Sequence, residues 1–390
     1  MNPAARTDIR DRVAASASAA GTRACADAVE RAIAALGCEP GLVLVFPAGD
    51  ADPDTVAAEA QEAADGACVA GMTGTGAIGA EGLVEAGCSA IAFSASLPAG
   101  VGTAEAVDSR AAGRKATAKA VAAIDGAPYG IVLLFVDSEA GDQAEIVDGA
   151  YTAAGGKIPL AGGAAGGARR ARFADGRALS DGVVAVAIGS STPIGVGIAH
   201  GCVPRGTPSI VTRAEGPKVM QLDGRPAQDV YFETLGLDGA DVDDDEFQVL
   251  SMVHPIAEPE LSGALRPRYV RARDGDGALV CATSIERNAA VEICDQTPGT
   301  IIQSAGAAVA DAVSQLERPA EAALVFDCAG RSAWFGSPLA QREVEAVVAA
   351  FGDPAPCLAG AYTRGEIGRA RGAKGDRNHS VIVAAFGALD

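Results

Sequence analysis

The chain has 390 residues, of which 49% are hydrophobic and only 4% are aromatic. This length exceeds the roughly 250–300 residues that one hydrophobic core usually supports, so more than one domain is expected and bulk disorder is excluded. The formal net charge of −19 argues against nucleic acid and anionic membrane as partners, because both attract basic surfaces. Only five of the 31 basic residues are lysines, a bias that fits either a halophile or a genome of high GC content.

The nine cysteines form no CxxC pair and lie mostly in segments rich in Ala, Val and Gly. Cysteines in such surroundings usually behave as small hydrophobic residues. The first 21 residues carry scattered charges and lack the apolar segment of a secretory signal. The chain also lacks an apolar run of the roughly 18 residues that read as a membrane span. The sequence therefore predicts a reduced, soluble, cytoplasmic protein.

An apolar run typical of a buried strand recurs three times, at residues 41–47, 130–137 and 322–329. Each run follows an Ala-rich stretch that we predict to be helical, at residues 12–36, 108–124 and 300–317. A second predicted helix follows each run, beginning at Asp52-Pro53, at about Asp142 and at Ser337-Pro338. Proline at the start of a helix and glycine after its end, as at Gly155, are common helix boundaries.

A short strand with a glycine-rich loop comes next in each copy. Gly71, Gly162 and Gly360 align, and Gly76, Gly167 and Gly365 follow five residues later. A further strand closes each copy, at residues 89–94, 183–189 and 381–387. This self-similarity indicates an αβαββ unit that is used three times.

Residues 195–299 lie between the second and third copies and contain further strands and a short helix that ends at Gly236. The acidic run Asp241–Glu246 within this insertion is expected to form a hinge or a solvated loop. It imitates the start of an EF-hand, but Glu246 and Met252 stand where a calcium loop needs glycine and glutamate. Alternating strands and helices predict the α/β fold class, with mixed sheets covered by helices.

Common catalytic and cofactor motifs are incomplete or absent in the sequence. Residues 74–79 read G-x-G-x-x-G, but the helix and the downstream acidic residue of a dinucleotide site do not follow. The three histidines match no zinc spacing, so no metal site is predicted. Cys328 is the best candidate nucleophile, because the nearby Arg331 would lower the pKa of its thiol. The alternative is that Cys328 is a buried structural residue.

Polar side chains collect near the strand ends of the third copy. Arg331 follows its first strand, Tyr362 and Glu366 lie at the end of its second, and Asn378 precedes its third. Ligands of α/β sheets bind in the crevice at the carboxyl ends of strands, so these groups are candidates for one pocket between two domains. Alternatively, Arg331 and Glu366 form a structural ion pair.

Seven segments of the sequence resemble the FIST proteins, which combine a FIST N and a FIST C domain. They are residues 159–166, 200–206, 210–216, 222–236, 327–331, 356–368 and 378–380. The sequence departs from the family pattern at Ala361, where an aromatic residue is common, and at the acidic run. The resemblance implies two domains, FIST N-like over residues 1–210 and FIST C-like over residues 211–390.

The resemblance also implies a sensory protein that binds a small ligand such as an amino acid. With no output module after the last strand, signalling is expected to pass through a separate partner protein; a homo-oligomer is a further possibility. In this hypothesis Arg331 binds the carboxylate of the ligand, and Glu366 accepts a hydrogen bond from its ammonium group. Tyr362 packs against the side chain of the ligand, and Asn378 forms a bridging contact through its amide. The predicted ligand-binding set is completed by Cys328, Gly365, Gly162, Gly163 and Thr73.

Two other functions remain open from the sequence. Some FIST proteins are similar to haem-binding nitric oxide sensors, and in such a sensor His200 would be the axial ligand of the haem iron. An amidase-like hydrolase with Cys328 as nucleophile is the other alternative. The leading hypothesis, a ligand sensor without catalysis, needs no cofactor.

Overall fold

A computed structural model describes residues 12–137, 139, 142–260, 263–370 and 374–389. It has the expected α/β class, with mixed sheets covered by helices and a unit that recurs three times. The first and second units also begin with a strand that the sequence analysis did not identify, whereas the first strand of the third unit lies in the segment that it assigned to the insertion. None of the described helices combines the length and the apolar character needed to cross a bilayer.

The first unit runs from residue 14 to residue 94. Its second helix begins where the sequence provides a cap: the carboxylate of Asp52 accepts from the backbone N–H of Thr55, and Pro53 is the first helical residue. The elements are β1 (Ala14–Ala19), α1 (Ala24–Leu36), β2 (Pro40–Ala48), α2 (Pro53–Ala63), β3 (Cys68–Met72), β4 (Ala77–Gly79), β5 (Gly82–Val84) and β6 (Gly87–Ser94). The helix predicted over residues 12–36 is therefore wrong in its first part, which forms β1.

The second unit repeats this order from residue 99 to residue 190. Asp108 and Asp142 cap its two helices, and Gly155 ends the second in a left-handed conformation, as predicted. The elements are β7 (Ala99–Ala104), α3 (Ser109–Val121), β8 (Tyr129–Val136), α4 (Gln143–Ala154), β9 (Leu160–Ala164), β10 (Arg172–Ala174), β11 (Arg177–Leu179) and β12 (Val183–Ser190).

The inserted module covers residues 203–295, after β13 (Ile194–His200), which belongs to the third unit. The insertion therefore begins later than residue 195. Its elements are β14 (Val203–Pro204), β15 (Ser209–Glu215), β16 (Lys218–Leu222), β17 (Arg225–Pro226), α5 (Ala227–Leu235), α6 (Asp244–Val253), β18 (Ile256–Pro259), β19 (Leu265–Arg268), β20 (Val270–Arg273), β21 (Leu279–Cys281) and β22 (Ala290–Asp295). These strands form an antiparallel nine-stranded sheet.

The acidic run is not a loop. Asp243 and Glu246 form a capping box at the start of α6, and the carboxylates of its first turn lie at the positive end of the helix dipole. The same residue types that suggested a solvated loop thus begin a helix. Among the described residues, no group of three or more His, Cys, Asp or Glu side chains is placed to hold a metal ion.

The third unit resumes after the module. Its elements are α7 (Pro298–Val313), β23 (Ala320–Cys328), α8 (Ala329–Phe335), α9 (Ser337–Phe351), β24 (Cys357–Thr363), β25 (Glu366–Arg369), β26 (Asp376–Arg377) and β27 (Ser380–Gly387). Ser337 is the first residue of α9 rather than its cap, which is Gly336. Helix α8, which carries Arg331, has no counterpart among the described residues of the other units.

The units exchange hairpins in a cycle. The hairpin β4–β5 pairs with β24, β10–β11 pairs with β3, and β25–β26 pairs with β9. Each unit therefore completes the six-stranded sheet of another unit. Because no unit can complete its own sheet, the three units must assemble together.

The aligned glycines occupy equivalent positions at the closest approach of two parallel strands. A Cβ atom on Gly71, Gly162 or Gly360 would lie 1.9, 2.1 or 1.9 Å from a backbone oxygen of the neighbouring strand. The predicted alignment of these three glycines is confirmed. The second set is less regular: Gly76 and Gly365 directly precede a hairpin strand, whereas Gly167 lies five residues before β10.

The core shows the same threefold relation. Phe46, Phe135 and Phe326 each follow the residue that pairs with an aligned glycine. Their ring centroids lie 5.8–6.1 Å apart, and all three side chains are fully buried. This contact joins the three sheets at the centre of the molecule.

Candidate functional site

A cleft of about 1180 Å³ opens at the carboxyl ends of β23 and β24. Cys328 and Gly365 contribute to its wall from the third unit, and Gln143 does so from the second. The inserted module forms the opposite side with Met252 and Tyr269. The cleft thus lies between the three-unit body and the inserted module, at the kind of strand end where α/β proteins bind ligands.

Asn378 and His379 line the cleft beside the module. The backbone N–H of Tyr269 donates to Oδ1 of Asn378 over 3.3 Å. The ring of His379 meets that of Tyr269 edge-on, with centroids 5.7 Å apart. This places the predicted residue Asn378 in the cleft, and with it His379, which the sequence analysis did not select.

His379 has buried, unused hydrogen-bonding capacity. Its residue is 1% exposed, and neither Nδ1 nor Nε2 has a hydrogen-bond partner among the described residues. Burial, together with the positive charge of Arg331, lowers the pKa of its imidazole to about 3. The ring is therefore neutral at physiological pH and carries one free donor and one free acceptor.

A buried ionic network joins the module to the third unit next to these residues. Arg266 and Arg268 both bind Glu258 and Asp376, with N–O distances of 2.6–3.0 Å. The segments 266–269 and 376–379 therefore contact each other at both of their ends. His379 and Tyr269 form one wall of the cleft, and this ionic network stabilises its position.

Arg331 does not line the cleft. Its fully buried guanidinium donates to Glu343, to Ser304 Oγ and to the carbonyl oxygen of Ile301, and its Nε lies 3.4 Å from Asp327. Burial opposes the charge of Arg331, while the two carboxylates raise the pKa of its guanidinium. The expected ion pair between Arg331 and Glu366 is not formed, and the guanidinium is not directed to a ligand.

Glu366 is also buried away from the cleft. Its Oε1 accepts from the hydroxyl of Thr363 over 3.2 Å, and its Oε2 accepts from the backbone N–H of Ser380 over 3.1 Å. Burial raises the pKa of this carboxyl group to about 8. Glu366 is therefore largely protonated at neutral pH and holds the end of β24 to the start of β27.

The remaining predicted residues belong mostly to the scaffold. Tyr362 is fully buried and donates to the carbonyl oxygen of Ala340 over 3.2 Å. Gly162 and Gly163 pair with β25, and Thr73 Oγ1 accepts from the backbone N–H of Ala171. Of the predicted set, the structure brings Asn378, Cys328 and Gly365 to the cleft. Whether these residues bind a ligand stays a prediction.

Cys328 is 9% exposed at the cleft. Burial raises the pKa of its thiol well above the usual value, and the neighbouring Glu366 adds to this effect. Arg331 acts in the opposite direction but more weakly. The thiol is thus protonated at neutral pH, which does not favour a nucleophilic role.

His200 is the last residue of β13 and does not line the cleft. Its Nδ1 accepts from the backbone N–H of Cys202 over 3.2 Å, and burial lowers the pKa of its imidazole to about 4. An axial haem ligand needs a free ring nitrogen that faces a pocket wide enough for the macrocycle. The described surroundings of His200 do not fit that requirement.

Two arginines in the cleft have no carboxylate partner. Arg271 on β20 and Arg364 after β24 are exposed, and neither makes an ion pair within the described part of the chain. The acidic residues nearby are engaged: Glu139 binds Arg170, and Asp142 caps α4. In a chain with 50 acidic and 31 basic residues, this leaves the cleft with unpaired positive charge.

Sequence reasoning missed Arg271, Arg364 and His379. Arg364 lies within the Tyr362–Gly368 segment that was singled out, and His379 lies directly after Asn378, so both had a local signal. Arg271 had none, because only the folded chain brings β20 to the strand ends of the third unit.

Two protein-family models together match most of the chain. Residues 41–225 match the family model of the FIST N domain, and residues 227–369 match that of the FIST C domain. Among curated proteins, no sequence match was found. Matches among solved structures include the cyanuric acid hydrolase from A. caulinodans, with 12% identity and a TM-score of 0.37 over 96% of this chain and 99% of that one. A likeness at this level carries no inference about activity.

Proposed function

The chain belongs to the FIST family, whose domains are associated with sensory and signal-transduction proteins, and from that premise we propose that it is a small-ligand sensor. The ligand binds in the cleft between the three-unit body and the inserted module. It carries a carboxylate, as an amino acid does. The signal passes to a separate output protein in the cytoplasm.

The observation that carries this proposal is the pair of unpaired guanidinium groups in the cleft, Arg271 and Arg364. A guanidinium presents a planar fork of donors that matches a carboxylate. The role first assigned to Arg331 therefore passes to these two residues, because Arg331 already binds Glu343 and Asp327. Asn378 and His379 supply neutral hydrogen-bonding groups beside them.

The position of the cleft supports a sensory role. A ligand that contacts both sides would stabilise one orientation of the inserted module relative to the three units, and such a differential interaction is what a signal requires. The contact between segments 266–269 and 376–379 is the place where this orientation is held.

Calorimetric titration of the full chain with L-amino acids tests the proposal. We expect saturable binding of at least one of them, and we expect Arg364→Ala to weaken it tenfold or more. A hydrogen bond to a charged group contributes about 1.5–3 kcal/mol, and 1.4 kcal/mol is about one decade of affinity.

The matched control is Arg177→Ala, since Arg177 is an exposed arginine on β11 that does not line the cleft. Its affinity should equal that of the wild type. Unchanged affinity in both Arg364→Ala and Arg271→Ala would contradict the proposed site, and absence of binding by every amino acid would contradict the proposed ligand.

A further inference from the structure

We infer that the cleft takes a ligand with two carboxylates, one for each side of the cleft. This inference rests on the proposed function and names its ligand class: a dicarboxylate or an acidic amino acid. The inference rests on two observations. Arg271 and Arg364 lie on different sides of the cleft, and the ring nitrogens of His379 have no hydrogen-bond partner among the described residues.

The two guanidinium groups belong to different parts of the molecule. Arg271 lies on β20 of the inserted module, two residues after Tyr269, whose ring contacts His379. Arg364 lies in the short turn between β24 and β25, where its backbone N–H donates to the carbonyl oxygen of Ala164 in the second unit. A ligand with one carboxylate satisfies one of these guanidinium groups and leaves the other unpaired.

The acidic residues of the cleft cannot take the place of the second carboxylate. Glu139 Oε2 lies 2.7 Å from Arg170 Nη2, and Oδ1 of Asp142 accepts from two backbone N–H groups of α4. Both carboxylates are therefore committed to other partners. Two like charges that lie outside ion pairs among the described residues of the cleft favour a ligand with two negative charges.

His379 provides an independent observation that this wall of the cleft receives a polar group. Its two ring nitrogens are buried and unpartnered among the described residues, and a buried polar atom without a partner is costly. The ring is neutral, so it can donate to an oxygen of the ligand or accept from its amine without adding charge. The cleft volume of about 1180 Å³ leaves room for a ligand longer than a single amino acid backbone.

The test compares matched probes that differ in one carboxylate. Calorimetric titrations at fixed ionic strength use L-glutamate against L-glutamine, and glutarate against butyrate. We expect each dicarboxylate to bind at least tenfold more tightly than its monocarboxylate analogue. Arg271→Gln and Arg364→Gln should each reduce this ratio to near one, while Arg177→Gln leaves it unchanged.

His379→Phe separates ligand recognition from structure. Phenylalanine keeps an aromatic ring next to Tyr269, but the φ of 52° at His379 suits histidine better than phenylalanine, so affinity is measured per folded molecule beside the melting temperature. Affinity for L-glutamate should fall tenfold or more. A lower melting temperature with unchanged affinity would show that His379 serves the fold alone and would remove it from the proposed site.

The outcomes distinguish the two proposals. If L-glutamine and butyrate bind as tightly as L-glutamate and glutarate, the two-carboxylate inference is wrong while the carboxylate sensor stands. If the ratio of the two affinities is unchanged in both arginine variants, the inference is also wrong, because groups other than Arg271 and Arg364 then bind the second carboxylate. If none of the four probes and no other amino acid binds, both proposals are wrong.

Discussion

Equivalent positions at the strand ends of the second and third units carry different side chains: an ion pair in the second unit and uncharged groups in the third. Asp137 and Cys328 are equivalent, since each lies three residues after the residue that pairs with an aligned glycine. Arg172 and Glu366 are equivalent as well, because each begins the exchanged hairpin strand. In the second unit the two positions form a buried ion pair at 2.9 Å, whereas in the third unit they hold a thiol and a protonated carboxyl group.

This difference shows how a repeated scaffold acquires one site. In the second unit, Arg172 and Arg170 both lie near Asp137, and Arg170 also binds Glu139, so charges there are paired. In the third unit the equivalent positions, Cys328 and Glu366, form no ion pair, and the inserted module faces this strand end across the cleft. The cleft therefore forms where the repeat lacks its ion pair and where the insertion supplies a second wall.

The largest effect is expected where the units are alike. Replacing Phe46, Phe135 or Phe326 by alanine removes one ring from the shared contact, and a buried Phe→Ala change costs about 3–5 kcal/mol. The three variants should lose similar amounts of stability, which denaturant unfolding would measure. A much smaller loss at Phe326 than at the other two would break the threefold comparison.

The two buried arginines should differ in their cost. Arg331→Met leaves Glu343 and Asp327 without their cation, and breaking a buried pair in this way costs about 3–5 kcal/mol. Arg172→Met should cost less, because Arg170 remains 4.0 Å from Asp137 and because two nitrogens of Arg172 have no partner to lose.

Unfolding curves of both arginine variants measure this difference. An equal cost would mean that Arg170 does not compensate for Arg172. Affinity for L-glutamate should remain unchanged in the folded fraction of the Arg331→Met protein, since Arg331 does not line the cleft.

The third unit should also give the protein a dependence on pH that the second unit lacks. Burial raises the pKa of Glu366 from its usual value of 4.5 to about 8, so the folded state binds more protons than the unfolded state between these two values. Stability should therefore fall as the pH rises through this window. Glu366→Gln, which keeps a neutral group, should make that fall shallower.

Melting temperatures between pH 5 and pH 9 would measure the effect. The melting temperature of Glu366→Gln should still fall somewhat as the pH rises, because burial also raises the pKa of Glu343. The matched control is Glu145→Gln on the surface, since Arg110 lowers the pKa of Glu145 and places its titration below this window. A slope that is identical in the wild type and in Glu366→Gln would contradict the buried, protonated state of this residue.

The smallest effect is expected at Cys328. Cys328→Ala removes one sulfur from a nearly buried position and should cost about 1 kcal/mol, within the range of ordinary point mutations. Because burial raises the pKa of the thiol, alkylation by iodoacetamide at pH 7.5 should be slower than that of free cysteine. Mass spectrometry of the labelled peptide measures the rate, and rapid, selective labelling of Cys328 would revive the hydrolase hypothesis.

Local sequence signals predicted most of the scaffold. The apolar runs became β2, β8 and β23, and the glycine spacing located the closest strand contacts, because a Cβ atom there would overlap a backbone oxygen. The helix cap at Asp52 and the start of a helix at about Asp142 were also predicted correctly. The first strands of the first and second units were missed, since a short run such as residues 14–19 is as rich in alanine as the helix that follows it. The first strand of the third unit was identified but assigned to the insertion.

The sequence predicted where in the fold the candidate site lies but not which side chains line it. The sequence by itself determined that polar residues gather at the strand ends of the third unit. They lie next to the ends of strands that are neighbours in one sheet, and the ends of such strands lie close together. It did not determine which side chains face the cleft. Arg331 turns to Glu343, twelve residues further along the chain, and His379 meets Tyr269, which is more than 100 residues away in sequence. These orientations depend on packing between distant segments, and only the tertiary structure decides them.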